Sequence, residues 1–192
     1  MPTKGKFLII RRFRAGDKDL MLKVYGPNGL MKLFVPDGLL PEEGFLGFTE
    51  PFNLLHAVYR QSGDTVILRD ILKVEFFSYL SIKSYSAYLW MASVMGFVER
   101  WFFQYDPELF DTVLRYLSLV PNNQNVLLLR FKLEFLRSMG LYKEEVFAER
   151  LRPIVRRILG EDSYKGLERL RVSRGLLLKL DNAIESHLSA SL

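Results

Sequence analysis

The chain has 192 residues, 49% of them hydrophobic, and a formal net charge of +5, which suits one large or two small domains and excludes a disordered chain. It has no cysteine, which removes disulfides, thiolate metal sites and cysteine nucleophiles together. Its two histidines, His56 and His187, are far apart with no carboxylate pattern beside them, so a histidine-based zinc site is not expected.

The apolar run ahead of Arg11 and Arg12 is about four residues, too short for a signal peptide. Phe7 to Ile10 instead opens a first strand, apolar on both faces. Leu20, Leu22 and Val24 alternate with Met21, Lys23 and Tyr25, the period of a half-buried second strand. Gly26-Pro27-Asn28-Gly29 supplies turn chemistry, because proline pre-sets φ and Asn-Gly tolerates positive φ. Leu30 to Val35 returns as a third strand. Residues 36–51 hold three prolines and three glycines and read as a long loop. Phe52, Leu54, His56 and Val58 form a fourth alternating run. Ser62-Gly63-Asp64 turns the chain into a fifth strand, Val66 to Val74, with Val66, Leu68, Leu72 and Val74 on one side. No helix-length segment separates these strands, so a doubly wound parallel sheet is excluded. A small antiparallel barrel follows, the five-stranded oligonucleotide-binding (OB) barrel being the best known and an SH3-like barrel the alternative.

Beyond Ser78 the period becomes helical. Ser84 to Val98 is free of charge for about 15 residues, short of the roughly 20 that span a bilayer, and reads as a buried helix with Tyr85, Leu89, Ala92, Met95 and Val98 on one face. Asp106-Pro107-Glu108 is a helix start, with Asp106 capping free N–H groups and Pro107 having none to satisfy. A third helix is expected from Asn125 to Met139, closed by Gly140. Pro153 breaks or kinks the 144–159 segment. Ser173 to Leu188 forms the last helix, with Ser189 to Leu192 fraying. The expected fold class is α+β: an OB-fold domain over 1–78 and a helical domain over 79–192.

Charge is unevenly placed. Residues 1–32 carry eight Lys/Arg against Asp17 and Asp19, a local +6; residues 33–80 carry three against seven acids, a local −4. A second basic stretch, 150–179, has nine Lys/Arg against three acids. Clustered cations attract phosphates and release condensed counterions. The first strands interleave them with Phe7, Phe13, Tyr25 and Phe34, the mixture that holds single-stranded nucleic acid. Phe7 and Phe34 read as core rather than as platforms, and Arg12 and Arg14 share a face opposite Arg11. The candidate DNA-binding set is therefore Lys4, Lys6, Arg11, Arg12, Phe13, Arg14, Lys18, Lys23, Tyr25 and Lys32. No phosphate-binding glycine loop, metal-ligand spacing or nucleophile–base signature is present, and the acid pairs Asp17/Asp19, Glu42/Glu43 and Glu144/Glu145 read as solvated charge. Neither an enzyme nor a cofactor or metal is expected.

Several stretches taken in order resemble the RecO family. FLIIRRFRAGDKDLMLKVYGPNG is similar to that family's first two strands. LLPEEGFLGFTEPFNLLHAVYRQSGDTVILRDILKVEFF is similar to its passage into the fourth and fifth. SYSAYLWMASVMGFVERWF, DPELFDTVLRYLSLV and VLLLRFKLEFLRSMGL resemble its successive helices, and Glu185-Ser186-His187-Leu188 its closing one. The likeness covers nearly the whole chain, carried by order and spacing rather than by any one motif. It implies a cytoplasmic, nucleoid-associated recombination mediator, away from membranes. Such a protein binds single- and double-stranded DNA, anneals strands and, with RecR, helps RecA replace single-strand DNA-binding protein. It also implies a pocket in the helical part for the C-terminal tail of that binding protein, with Arg130 meeting a terminal carboxylate and Phe131 and Phe135 lining or supporting it.

Three departures qualify the likeness. Where the family has a basic loop after the third strand, Val35 to Glu43 is apolar and acidic. The cysteines of the zinc module carried by many members are absent. Met91 stands where the first helix usually has an acid. The acidic 33–50 segment favours an alternative, a protein–protein adaptor with a RecO-like fold and little DNA binding.

Overall fold

In the computed structural model, which describes residues 3–63 and 65–192, five strands close a barrel in the order β1-β2-β3-β5-β4. They are β1 (Thr3–Arg14), β2 (Leu20–Gly26), β3 (Gly29–Val35), β4 (Leu54–Ser62) and β5 (Thr65–Glu75). The chain is thus α+β with an OB-like barrel at its start, as expected, although the β3–β5 closure is parallel rather than antiparallel. The long β1 serves two neighbours: Thr3 to Leu8 pairs with β4, and Leu8 to Arg14 with β2. Between Ile9 and Arg11 the register with β2 shifts, leaving Ile10 as the extra residue that bends and twists the strand where it changes partner.

Alternation carries Phe7, Ile9, Leu22, Val24, Leu33, Leu55, Val66 and Leu68 into the barrel core. The expected phase of β4 is inverted: Leu55, Ala57 and Tyr59 point inward, while His56 and Val58 lie on the outer face. In β5 the side holding Val66 and Leu68 does not continue to Leu72. Register shifts opposite His56/Ala57 and Val58/Tyr59 insert residues into β5, so Leu72 emerges to solvent and Ile71 and Val74 pack on the core. Of the expected Ser62–Asp64 turn, Asp64 lies outside the described residues. The β2–β3 turn is as expected, with Gly26 opposite Gly29. Gly29 has φ +79°, and a Cβ there would stand 2.2 Å from the Phe103 carbonyl oxygen, so only glycine fits. The 36–51 segment is not all loop: it holds a 3₁₀ turn, Pro41–Glu43, and α1 (Phe45–Phe48). Buried Asn53 braces it by donating to the Gly47 and Phe48 carbonyls and accepting from the Ser78 amide.

The chain forms two compact units, Met1–Ser118 and Leu119–Leu192, so the barrel's unit runs well beyond residue 78. It includes α2 (Ser78–Ser81), α3 (Tyr85–Trp101) and α4 (Pro107–Leu117). The reason is visible at Tyr25. Its ring packs against Phe102 and Phe110, and its hydroxyl donates to the Gln104 carbonyl and accepts from the Asp106 amide. Asp106 caps α4 as expected, accepting from the Leu109 amide at 2.8 Å. The phase of α3 departs from expectation in its first half: Met95 and Val98 are buried as expected, but Ala87, Trp90, Met91 and Val94 take the core where Tyr85 and Leu89 are exposed.

The second unit holds α5 (Gln124–Ser138), α6 (Arg152–Gly160), α7 (Tyr164–Arg169) and α8 (Arg174–Ser191). Gly140 follows α5 at φ +67°, matching the expected closure. Pro153 begins α6 rather than kinking it, in the first turn where its missing N–H is harmless. The last helix does not fray at Ser189 but continues to Ser191, with the Leu192 amide donating to the Leu188 carbonyl. Lys132, buried in α5, is held between Asp181 and Glu185 of α8 at 2.6 and 2.7 Å. Among the described residues no helix is long and apolar enough to cross a membrane.

Candidate nucleic-acid interface

Cross-strand register turns part of the scattered cationic sequence into rows. On the outer face of β1-β2-β3, Arg11, Lys23 and Lys32 are consecutive partners, and Phe13, Met21 and Phe34 form the next row. Strands lie about 5 Å apart and same-face rows about 7 Å apart, so cations and rings form one continuous patch. Phe13 is 48% exposed, and Phe34, read from sequence as core, is half-buried on this face.

The charge of the upper row is set by Glu99 of α3. Its carboxylate accepts from Arg11 Nε at 2.9 Å and from Lys23 Nζ at 2.9 Å. Burial alone would push the Glu99 carboxyl up, but the two hydrogen bonds and the cations' charges outweigh it and hold it below the usual range. The same hydrogen bond, with the charge of Glu99, raises the Arg11 pKa. Three cations thus face one carboxylate, a local +2. The Arg11 side chain remains 60% exposed against 18% for Glu99. Lys32 is exposed and has no carboxylate partner among the described residues.

The other sequence candidates do not all join this patch. Lys4 and Lys6 lie on the half of β1 that pairs with β4, where Lys6 stands opposite His56 and His56 opposite Lys73. There Glu75 takes hydrogen bonds from His56 and Lys73, which lower its pKa. Arg12 and Arg14 share a face, as expected. Arg12 is held by the Leu46 carbonyl at 3.0 Å and Glu50 at 2.8 Å, with its side chain 29% exposed, while Arg14 is exposed and unpaired among the described residues. Lys18 pairs with Asp37 at 2.7 Å. Tyr25 is fully buried and cannot serve as a stacking platform. Phe7 is core, as read.

Beside this face the same unit opens a groove of about 1300 Å³ that sequence reading missed. Ile10, Phe52 and Met95 line it deeply, and Phe76, Tyr79, Tyr85 and Tyr88 stand around it exposed. Phe52, a non-glycine residue at φ +76°, is locked by its amide donating to the Ile9 carbonyl. The sequence signal was present: Tyr79, Ile82, Tyr85 and Tyr88 recur every three residues. It reads equally well as an inward helical face.

In the second unit Arg130 is not offered to a ligand. It donates to Glu134 and to the Ile158 and Glu161 carbonyls, closing the C-terminal end of α6. Phe131 and Phe135 are sealed in the core, so these three residues do not line an open pocket. In the second basic stretch Arg156 binds Glu144, and Arg152 donates to the Phe147 carbonyl. Arg157 and Arg171 border a separate cleft of about 220 Å³. Asp19 of the Asp17/Asp19 pair accepts the Asp37 amide, and no group of three or more potential metal-ligating side chains forms among the described residues.

Fold and face together define an α+β protein built on an OB-like barrel, with a cation row and a ring row on its β1-β2-β3 surface. The chain matches no protein-family model. It is 38% identical over 149 residues to an uncharacterised protein of Aquifex aeolicus (strain VF5), covering 78% of this chain and 69% of that protein. The chain belongs to the family of that Aquifex protein.

Proposed function

We propose that this protein is a non-catalytic, RecO-like recombination mediator that binds single- and double-stranded DNA through the barrel's β1-β2-β3 face. The observation that carries the reading is the adjacency of Arg11, Lys23 and Lys32 to Phe13, Met21 and Phe34. Cations beside rings are what a nucleic-acid strand requires, charge for phosphates and flat apolar surface for bases. Strand annealing and assistance to RecA, with RecR and single-strand DNA-binding protein as partners, rest on the sequence likeness to RecO. Arg130, Phe131 and Phe135 are not part of the proposal.

Fluorescence anisotropy with labelled oligonucleotides over a salt series tests it. Binding should weaken steeply with salt, and Lys32→Ala should flatten the slope by about one ion. A second reading, a protein–protein adaptor, is favoured by one observation: Arg11, Arg12, Lys18 and Lys23 all have carboxylate partners. No binding at low salt, or affinity indifferent to salt, decides for the adaptor.

A further inference from the structure

The groove beside the barrel face has a chemistry of its own. Its exposed rim is aromatic: Tyr79 is 65% and Tyr85 76% exposed, with Phe76 and Tyr88 alongside. Large rings left in solvent on one wall are not explained by core packing, because α3 buries its opposite side through Trp90, Val94 and Phe97. The groove is also open rather than filled, since a Cβ on Gly96, one of its lining residues, would meet nothing within 4 Å.

Charge narrows the occupant. Two acids line the groove, Glu50 and Glu99, and each is paired with an arginine that lines it too, Arg12 and Arg11. No unpaired carboxylate faces the space among the described residues, which is what a polyanion needs. Lys83 sits 6.0 Å from the Tyr79 ring centre and adds a cation on the same wall. The groove is continuous with the proposed DNA face, because Arg11 and Phe13 belong to both.

We infer that this groove is a base-stacking channel for single-stranded nucleic acid, in which unpaired bases lie on Tyr79, Tyr85 and their neighbours while the backbone passes Arg11. The inference rests on the DNA-binding reading above and adds to it a preference. In a duplex the base faces are already stacked on one another, so only a single strand can use the rings. Duplex DNA therefore meets the cation row alone, and single strands meet both surfaces.

The test uses the full-length chain with Tyr79→Ala, Tyr85→Ala and their pair, all at exposed positions where folding is little affected. Tyr85→Phe, which keeps the ring, is the rescue control. Affinities are read by anisotropy for a single-stranded oligonucleotide and for the same sequence as a duplex, and stacking is read by quenching of 2-aminopurine placed in the single strand. Each lost ring should weaken single-strand binding by about fivefold or more and reduce the quench. Duplex affinity should not change, and Tyr85→Phe should behave as wild type. Equal losses for both DNA forms, or unchanged single-strand affinity and quench, overturn the inference while leaving the barrel-face reading intact. A change in self-association or protein binding on ring loss, with DNA binding unaltered, assigns the groove to a protein partner instead. Absence of binding by the wild type to either DNA form at low salt removes the barrel-face reading and this inference together.

Discussion

Replacing Glu99 by glutamine separates a cation row that meets phosphates from one that merely decorates a sheet. The carboxylate holds Arg11 and Lys23 and leaves the row of Arg11, Lys23 and Lys32 at a local +2. Glutamine keeps the shape and one acceptor and takes the row to +3. If the row engages DNA, removing an acid should tighten binding and steepen its salt dependence by about 0.7 in log–log slope for a single strand and about 0.9 for a duplex. Over an about fourfold rise in salt that adds roughly a threefold loss of affinity. The substitution should also lower stability by about 1 kcal/mol at neutral pH, the loss of two partly exposed ion pairs. That loss has its own signature. The Glu99 carboxyl titrates below its unfolded value near 4.5, so its contribution is present above that pH and disappears as pH falls through the lower folded value. The gap in melting temperature between wild type and Glu99→Gln should therefore close in acid. A variant that shows this acid signature yet keeps the wild-type salt slope would falsify phosphate contact by Arg11 and Lys23.

Three further outcomes follow from the packing. Lys132→Met should destabilise the second unit by roughly 2–3 kcal/mol in urea unfolding. The figure is below that of a sealed ion pair because Asp181, left beside Glu185, keeps solvent contact. Burial pushes the Tyr25 phenol up to about 12, so wild-type stability should fall as pH rises from about 10 to about 12. Tyr25→Phe should lose about 1 kcal/mol at neutral pH, for the bonds to Gln104 and Asp106, and show less of that alkaline fall in melting curves. Gly29→Ala, with its Cβ 2.2 Å from the Phe103 carbonyl oxygen, should lower the melting temperature by several degrees, whereas Gly44→Ala, with open space around it, should lose only the left-handed backbone preference.

Where one face of a strand was apolar and the other polar, the sequence was legible. β2 and β3 and the turn between them emerge from Leu20, Leu22, Val24 and the Asn-Gly pair, with the inward side chains of β2 correctly placed and Phe34 of β3 found on the outer face instead of in the core. Leu54 and Leu55 are both buried, so β4 is apolar on both faces at its start and its phase cannot be read from alternation. The bulges that turn Leu72 outward in β5 are set by pairing with β4, a long-range condition with no local signature. α3 shows the same ambiguity in helical form: Tyr85 and Leu89 keep an inward spacing, but the wider Trp90 and Phe97 stripe takes the core. At the site, the sequence located the cations and Phe13 but not Glu99, which stands 76 residues beyond Lys23 and 88 beyond Arg11 in the chain. It also could not separate Lys4 and Lys6 from the rest, because the division is made by β1 changing partners at Leu8.

Pairing with carboxylates does not by itself withdraw a cation from a phosphate; the strength of the pair decides. An exposed ion pair is worth about 0–1 kcal/mol, so exchanging its carboxylate for a phosphate oxygen costs little. Lys18 falls in that class, and Arg11, its side chain likewise 60% exposed, joins it because Lys23 still holds the more enclosed Glu99 when Arg11 leaves. Arg12 does not. Its guanidinium satisfies the Leu46 carbonyl as well as Glu50 and is mostly enclosed, so recruiting it would strand a backbone acceptor near α1. The opening cations therefore sort by how firmly each is held rather than by sequence position. Among the described residues Arg14 and Lys32 have no carboxylate partner on the β1–β3 half of the barrel, Arg11 and Lys18 are exchangeable, and Arg12 is structural. On that ordering Arg12→Ala should reduce stability with little effect on the salt slope, and Lys32→Ala should do the reverse. An Arg12 variant that remains fully stable and loses DNA would show that the ordering, and the surface drawn from it, is wrong.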